Sequence, residues 1–84
     1  MYKETLWEAL EVAMGQFAEA GAVFQEEPFR EFNYGGIRYG EVKQVSQEIV
    51  TLKGKKTKKF AHITIFREGR GTAAGMYEAT AYIL

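Results

Sequence analysis

The apolar residues of this chain change their period once, and that change limits the fold more than any other feature. Over residues 5–20, Leu6, Leu10, Ala13, Met14 and Phe17 recur at spacings of three and four, which places them on one face of a helix. From Phe29 onward the repeat becomes two, the repeat of strands whose successive side chains point to opposite faces. A single switch of this kind predicts one N-terminal helix followed by antiparallel strands.

The helix carries its own end signals. Thr5 followed by Glu8 fits a capping box, in which a hydroxyl meets an orphan N–H and a carboxylate reaches back. Gly21 suits a left-handed C-terminal cap. Residues 22–28 read as a connection, and Pro28 disfavours helical backbone at Glu27. Beyond it, Phe29–Tyr34 and Ile37–Tyr39 flank Gly35-Gly36, a two-residue hairpin signal. Residues 41–52 continue as strand, with a kink or a division into two shorter strands where the alternation breaks near Gln47-Glu48. Residues 60–67 give the strongest strand. Ala61, Ile63 and Ile65 face one side; Phe60, His62, Thr64 and Phe66 face the other. After the turn at Gly69-Arg70-Gly71, Tyr77, Ala79, Ala81 and Ile83 alternate with Glu78, Thr80 and Tyr82, which favours a last strand. The alternative is a short helix capped by Thr72. The expected architecture is α+β: an amphipathic helix packed on a four-stranded antiparallel meander in the order α-β-β-β-β, or α-β-β-β-α if residues 72–84 are helical.

Length and composition bound the rest. Eighty-four residues read as one domain, and a chain this short buries only about 60–65% of the surface its unfolded form exposes. It has no cysteine and one histidine, so neither a disulfide nor a multi-histidine metal site is expected, and no cofactor is implied. An aromatic content of 14% supplies the core instead, since each large ring buries about 150–250 Å². No apolar run approaches the ~20 residues of a membrane span, and the first residues lack the pattern of a signal peptide. The reducing cytoplasm is the simplest expected compartment. Net charge is zero but unevenly spread: residues 1–31 carry seven acids against two bases, and residues 32–84 carry nine bases against four acids.

Two contact surfaces follow. The first is arithmetic: a sheet has two faces and the chain has one helix to cover them. The uncovered face would present Phe60, His62, Phe66 and Tyr82, near Thr64 and Thr80, and apolar patches beyond a few hundred Å² mark contact surfaces. A protein partner or a second copy of the chain would cover it. The second is the run Lys53-Gly54-Lys55-Lys56-Thr57-Lys58-Lys59, read as a solvated hairpin tip. Lys53, Lys55, Lys56, Lys58 and Lys59 suit phosphates, with Arg38, Tyr39 and Tyr34 adding stacking to a single strand. The same lysines also suit a tip that only discourages strand-to-strand aggregation. The last strand, apolar through Ile83-Leu84, can in addition pair with a strand of another chain if it lies at a sheet edge.

Catalysis has little support. Ser46, His62 and Glu48 or Glu78 make a serine–histidine–acid set only on paper, and Gly69-x-Gly71-x-x-x-Gly75 is turn punctuation rather than a dinucleotide fingerprint. The expected function is therefore a non-enzymatic protein-interaction module, of the kind that serves as a small inhibitor or adaptor of a larger assembly in accessory or mobile-element systems. The alternative is a nucleic-acid-binding accessory domain using the lysine hairpin.

Overall fold

The structure, a computed structural model, describes residues 1–84 apart from Glu26, Tyr34 and the side chain of Asn33. It is α+β, with one N-terminal helix, α1 (Leu6–Glu19), followed by strands in two three-stranded antiparallel sheets. Thr5 caps α1: its Oγ1 accepts from the Glu8 N–H at 3.1 Å and donates to the Glu8 carboxylate at 3.1 Å. The carboxylate thus returns to the hydroxyl of the cap. Gly21, at φ 79°, turns the chain out of the helix into β1 (Ala22–Val23).

The larger sheet is built from β2 (Val42–Glu48), β5 (Phe60–Arg67) and β6 (Tyr77–Ile83), with β5 in the middle. The smaller joins β1, β3 (Thr51–Leu52) and β4 (Lys55–Lys56) in the order β1-β3-β4. The two separate at Ile49-Val50, next to the expected break in alternation. Ile49 is fully buried there, and its N–H donates to the Lys59 carbonyl at 3.0 Å.

α1 packs chiefly against β6 on one face of the larger sheet. Ala9, Ala13 and Phe17 are its buried residues, while Leu6, Leu10 and Met14 are partly buried at the flank. The two alanines let the helix approach Ile63, Ile65 and Ala61 of β5 closely, and all three are 0% exposed. At the C-terminal end of α1, Phe17 stacks on Phe29 with centroids 5.6 Å apart, and Phe24 meets both rings edge-on at 6.0 and 5.6 Å.

Two expectations need correction. The hairpin around Gly35-Gly36 is not formed among the described residues. Arg30–Asn33 make a 3₁₀ turn, and residues 35–38 are irregular. The cause is Phe29 and Phe32, both buried. They lie three apart, and a 3₁₀ turn brings positions i and i+3 to one side. The spacing was that of a turn plugging the core. The four-stranded meander is accordingly replaced by two sheets. The alternative C-terminal helix is also absent: Gly71–Ala73 is a 3₁₀ turn, and residues 77–83 are strand β6.

One arginine ties the loops to the larger sheet. Arg67, at the end of β5, donates from Nη1 to the Ile37 carbonyl (2.9 Å) and from Nε to the Gly75 carbonyl (3.0 Å). Its guanidinium lies 4.4 Å from the Tyr39 ring centroid and 4.8 Å from that of Tyr77. The N-terminal segment closes the same region. Lys3 and Tyr77 exchange backbone bonds of 2.7 and 2.8 Å, and Tyr2 donates to Glu68 at 2.9 Å, a bond that raises the phenol's pKa above its ordinary value. Among the described residues no helix is long and apolar enough to cross a membrane.

Candidate interaction surface

The larger sheet has one open face. Alternation along β5 turns Ala61, Ile63 and Ile65 toward α1, so Phe60, His62, Thr64 and Phe66 look the other way. Cross-strand register then fixes the rows. Ser46, His62 and Tyr82 stand opposite one another, as do Gln44, Thr64 and Thr80, and as do Val42, Phe66 and Glu78. Glu48 lies opposite Phe60, which exchanges backbone bonds with Leu84. No described element covers this face: Val42 is 57% exposed, Tyr82 44% and Phe60 42%.

The rings order one another. His62 stacks on Tyr82 with centroids 4.9 Å apart and an 18° interplanar angle, and Phe60 lies 6.4 Å from His62. Ser46 Oγ and His62 Nδ1 are hydrogen-bonded at 2.6 Å, and Gln44 donates to Thr64 at 3.3 Å. The face is therefore a ridge of rings on its β6 side beside a strip of short polar groups on β2. Phe60, His62, Phe66 and Tyr82 all stand on it. Val42, Gln44 and Ser46 belong to it too. Sequence reasoning missed them because it assigned no faces within residues 41–52, although their spacing of two from Val42 to Glu48 carries the signal.

Ser46 and His62 are thus brought together, but as a pair. A serine–histidine base needs a third group to fix the imidazole and donors aimed at a developing oxyanion. Here a stacked tyrosine holds the ring, and Glu78 is engaged by the N-terminal amine at 3.1 Å. Among the described residues no group of three or more His, Cys, Asp or Glu is gathered for a metal ion.

The lysine-rich segment is a hairpin whose two-residue turn is Lys53-Gly54, with φ of 53° and 79°. Positive φ at both central residues is what a type I′ turn requires. Lys53, Lys55, Lys56, Lys58 and Lys59 are all exposed, and none is in an ion pair among the described residues. The Lys53 N–H donates to the Gly21 carbonyl at 2.9 Å, which seats the cationic tip at the negative end of the α1 dipole. Arg38 and Tyr39 do not join it. Gly40 bonds to Arg67 at the far end of β5, whereas the lysines precede Phe60, and the seven steps between them span roughly 24 Å. Tyr39 is also engaged by Arg67. Tyr34 lies outside the described residues.

A third feature is the outer edge of β6. Lys3 pairs with Tyr77 at its start, but Ala79, Ala81 and Ile83, whose N–H and C=O groups point the same way as those of Tyr77, have no backbone partner on that side among the described residues. Beside this edge runs a groove of about 270 Å³ lined by Met1, Lys3, Ala9, Val12, Gln16 and Ala79. No family model, curated protein or solved structure matches the chain, so its surfaces are read on their own chemistry.

Proposed function

We propose that this chain is a non-enzymatic protein-interaction module that docks through the open face of its larger sheet, in the manner of a small inhibitor or adaptor of a larger assembly. The observation that carries the reading is the row Phe60–His62–Tyr82 with Val42: apolar and aromatic side chains held in fixed positions on a face that no described element covers. Rings ordered in the free chain lose little conformational freedom on docking, which favours them as anchors. Short hydroxyl groups beside them (Ser46, Thr64, Thr80), with Gln44 bonded to Thr64, supply hydrogen bonds with few side-chain torsions to immobilise. A protein surface fits this face better than nucleobases do. Base stacking needs a free ring face, and His62 and Tyr82 already spend one face each on the other. Lys55 and Lys56 belong to the smaller sheet, Lys53 stands in its turn, and Lys58 and Lys59 link it to β5.

The test is a double variant, Phe60→Ser with Tyr82→Ser, used as bait in native lysate beside the parent chain, with and without nuclease. The variant is expected to keep the parent's circular dichroism, because both residues are more than two-fifths exposed, and to lose at least 90% of nuclease-resistant capture. Undiminished capture would overturn the reading. So would capture that disappears with nuclease, a result that would transfer function to the lysine hairpin.

A further inference from the structure

We infer that the outer edge of β6 is a second docking site, which takes an extended segment of a partner protein as an added strand. This does not rest on the ring face, since it uses backbone groups and a groove on the opposite, helix-bearing side.

An edge strand presents a row of unpaired N–H and C=O groups, and proteins blunt such rows with lysine, proline, bulges or inward-pointing charge. The larger sheet has two edges, and they are treated differently. β2 carries Lys43 on the helix-bearing face, with its ammonium on the Glu31 carbonyl at 3.0 Å and 5.5 Å from the Phe32 ring centroid. Gln44, Ser46, Gln47 and Glu48 make four of the strand's other six residues polar, Val42 and Val45 being the exceptions. β6 from Ala79 to Ile83 has no charge, proline or bulge. Its N-terminal end is already used in the proposed way: Lys3 pairs antiparallel with Tyr77, the same register sets Met1 beside Ala79, and the ladder stands open beyond it at Ala81 and Ile83.

The occupant follows from sterics and charge. A symmetric antiparallel pair of β6 strands would set them about 4.8 Å apart. α1 lies over β6, and Val12 and Gln16 reach the groove at its edge, so two copies of α1 would approach far inside the 8–10 Å that packed helices need. A lone strand brings no helix. Its residues on the helix side would enter the groove against Ala9, Val12 and Ala79, which calls for an aliphatic side chain at alternate positions. Facing an uncharged edge, the segment is uncharged opposite Ala81 and Ile83. Two outward N–H and two outward C=O groups, those of Ala81 and Ile83, then give up to four main-chain bonds, the interaction mode of strand addition.

The experiment pans a displayed library of random octapeptides against the full chain, then adds synthesised winners to ¹⁵N-labelled protein. Enriched peptides are expected to alternate aliphatic residues and to slow amide exchange at Ala81 and Ile83 at least tenfold. Val12→Glu, at a 41% exposed position, should weaken binding at least tenfold, and so should Ala81→Pro, which removes an outward donor without breaking a bond to β5. Phe60→Ser with Tyr82→Ser should still allow protection of both amides, which separates failure here from failure of the ring face. Three results would overturn the inference. The first is no enrichment over a Val12→Glu control, and the second is binding that leaves both amides unprotected. The third is a free chain that sediments as a dimer with those amides already protected.

Discussion

Phe17→Ala is expected to cost about 3–5 kcal/mol, the range for removing a buried aromatic ring. Phe17 is 2% exposed and touches both Phe24 and Phe29, so its loss opens a cavity under the turn that closes the core. Small domains hold only about 5–15 kcal/mol in total, and this chain belongs near the lower end. A drop in Tm of at least about 12 °C should follow. Thermal melts followed by circular dichroism measure it, because the single tryptophan, Trp7, is already 55% exposed and reports unfolding poorly. Phe60→Ala is the matched comparison: the same chemical change on the open face should cost under about 1 kcal/mol. Equal losses at the two sites would mean that the open face is packed, and the proposed docking surface would be lost with that result.

Arg67→Ala should have the next largest effect, about 3 kcal/mol. Hydrogen bonds from a charged group contribute about 1.5–3 kcal/mol, and each ring contact adds about 0.5–1. Removing the guanidinium leaves the Ile37 and Gly75 carbonyls unpaired and separates the Tyr39 and Tyr77 rings it lies between. Arg67→Lys should restore less than half, because an ammonium lacks the planar fork that can serve two carbonyls and stack on rings. Urea titrations of the three proteins check this, and full recovery with lysine would show that only the charge matters.

The parts of the fold legible in the sequence were those where one face is buried. α1 was readable because its stripe is long and its cap is local to Thr5 and Glu8. β5 was readable because three fully buried residues alternate without interruption, and that alternation also located Phe60, His62 and Phe66 on the other side. Residues 29–39 were misread for a physical reason. Phe29 and Phe32 reach the core from a turn, Phe29 at φ 62°, and a buried turn leaves no periodicity to detect. The edge position of β6 was open for a different reason. Which neighbour a strand has is decided by register across the whole sheet, which no local pattern encodes. Arg67 was invisible as a clasp because its partners are main-chain carbonyls thirty and eight residues away.

The lysine tip is the only covalent link between β2 and β5, yet those strands are held side by side from Val42↔Phe66 to Glu48↔Phe60. Limited trypsin should therefore nick the exposed Lys55–Lys59 stretch first. It should leave a particle of unchanged size that parts into two fragments only in denaturant. A chain wired in this way can be divided at its most solvated point, and its halves, one carrying α1 and β2 and the other β5 and β6, should find each other again by complementation.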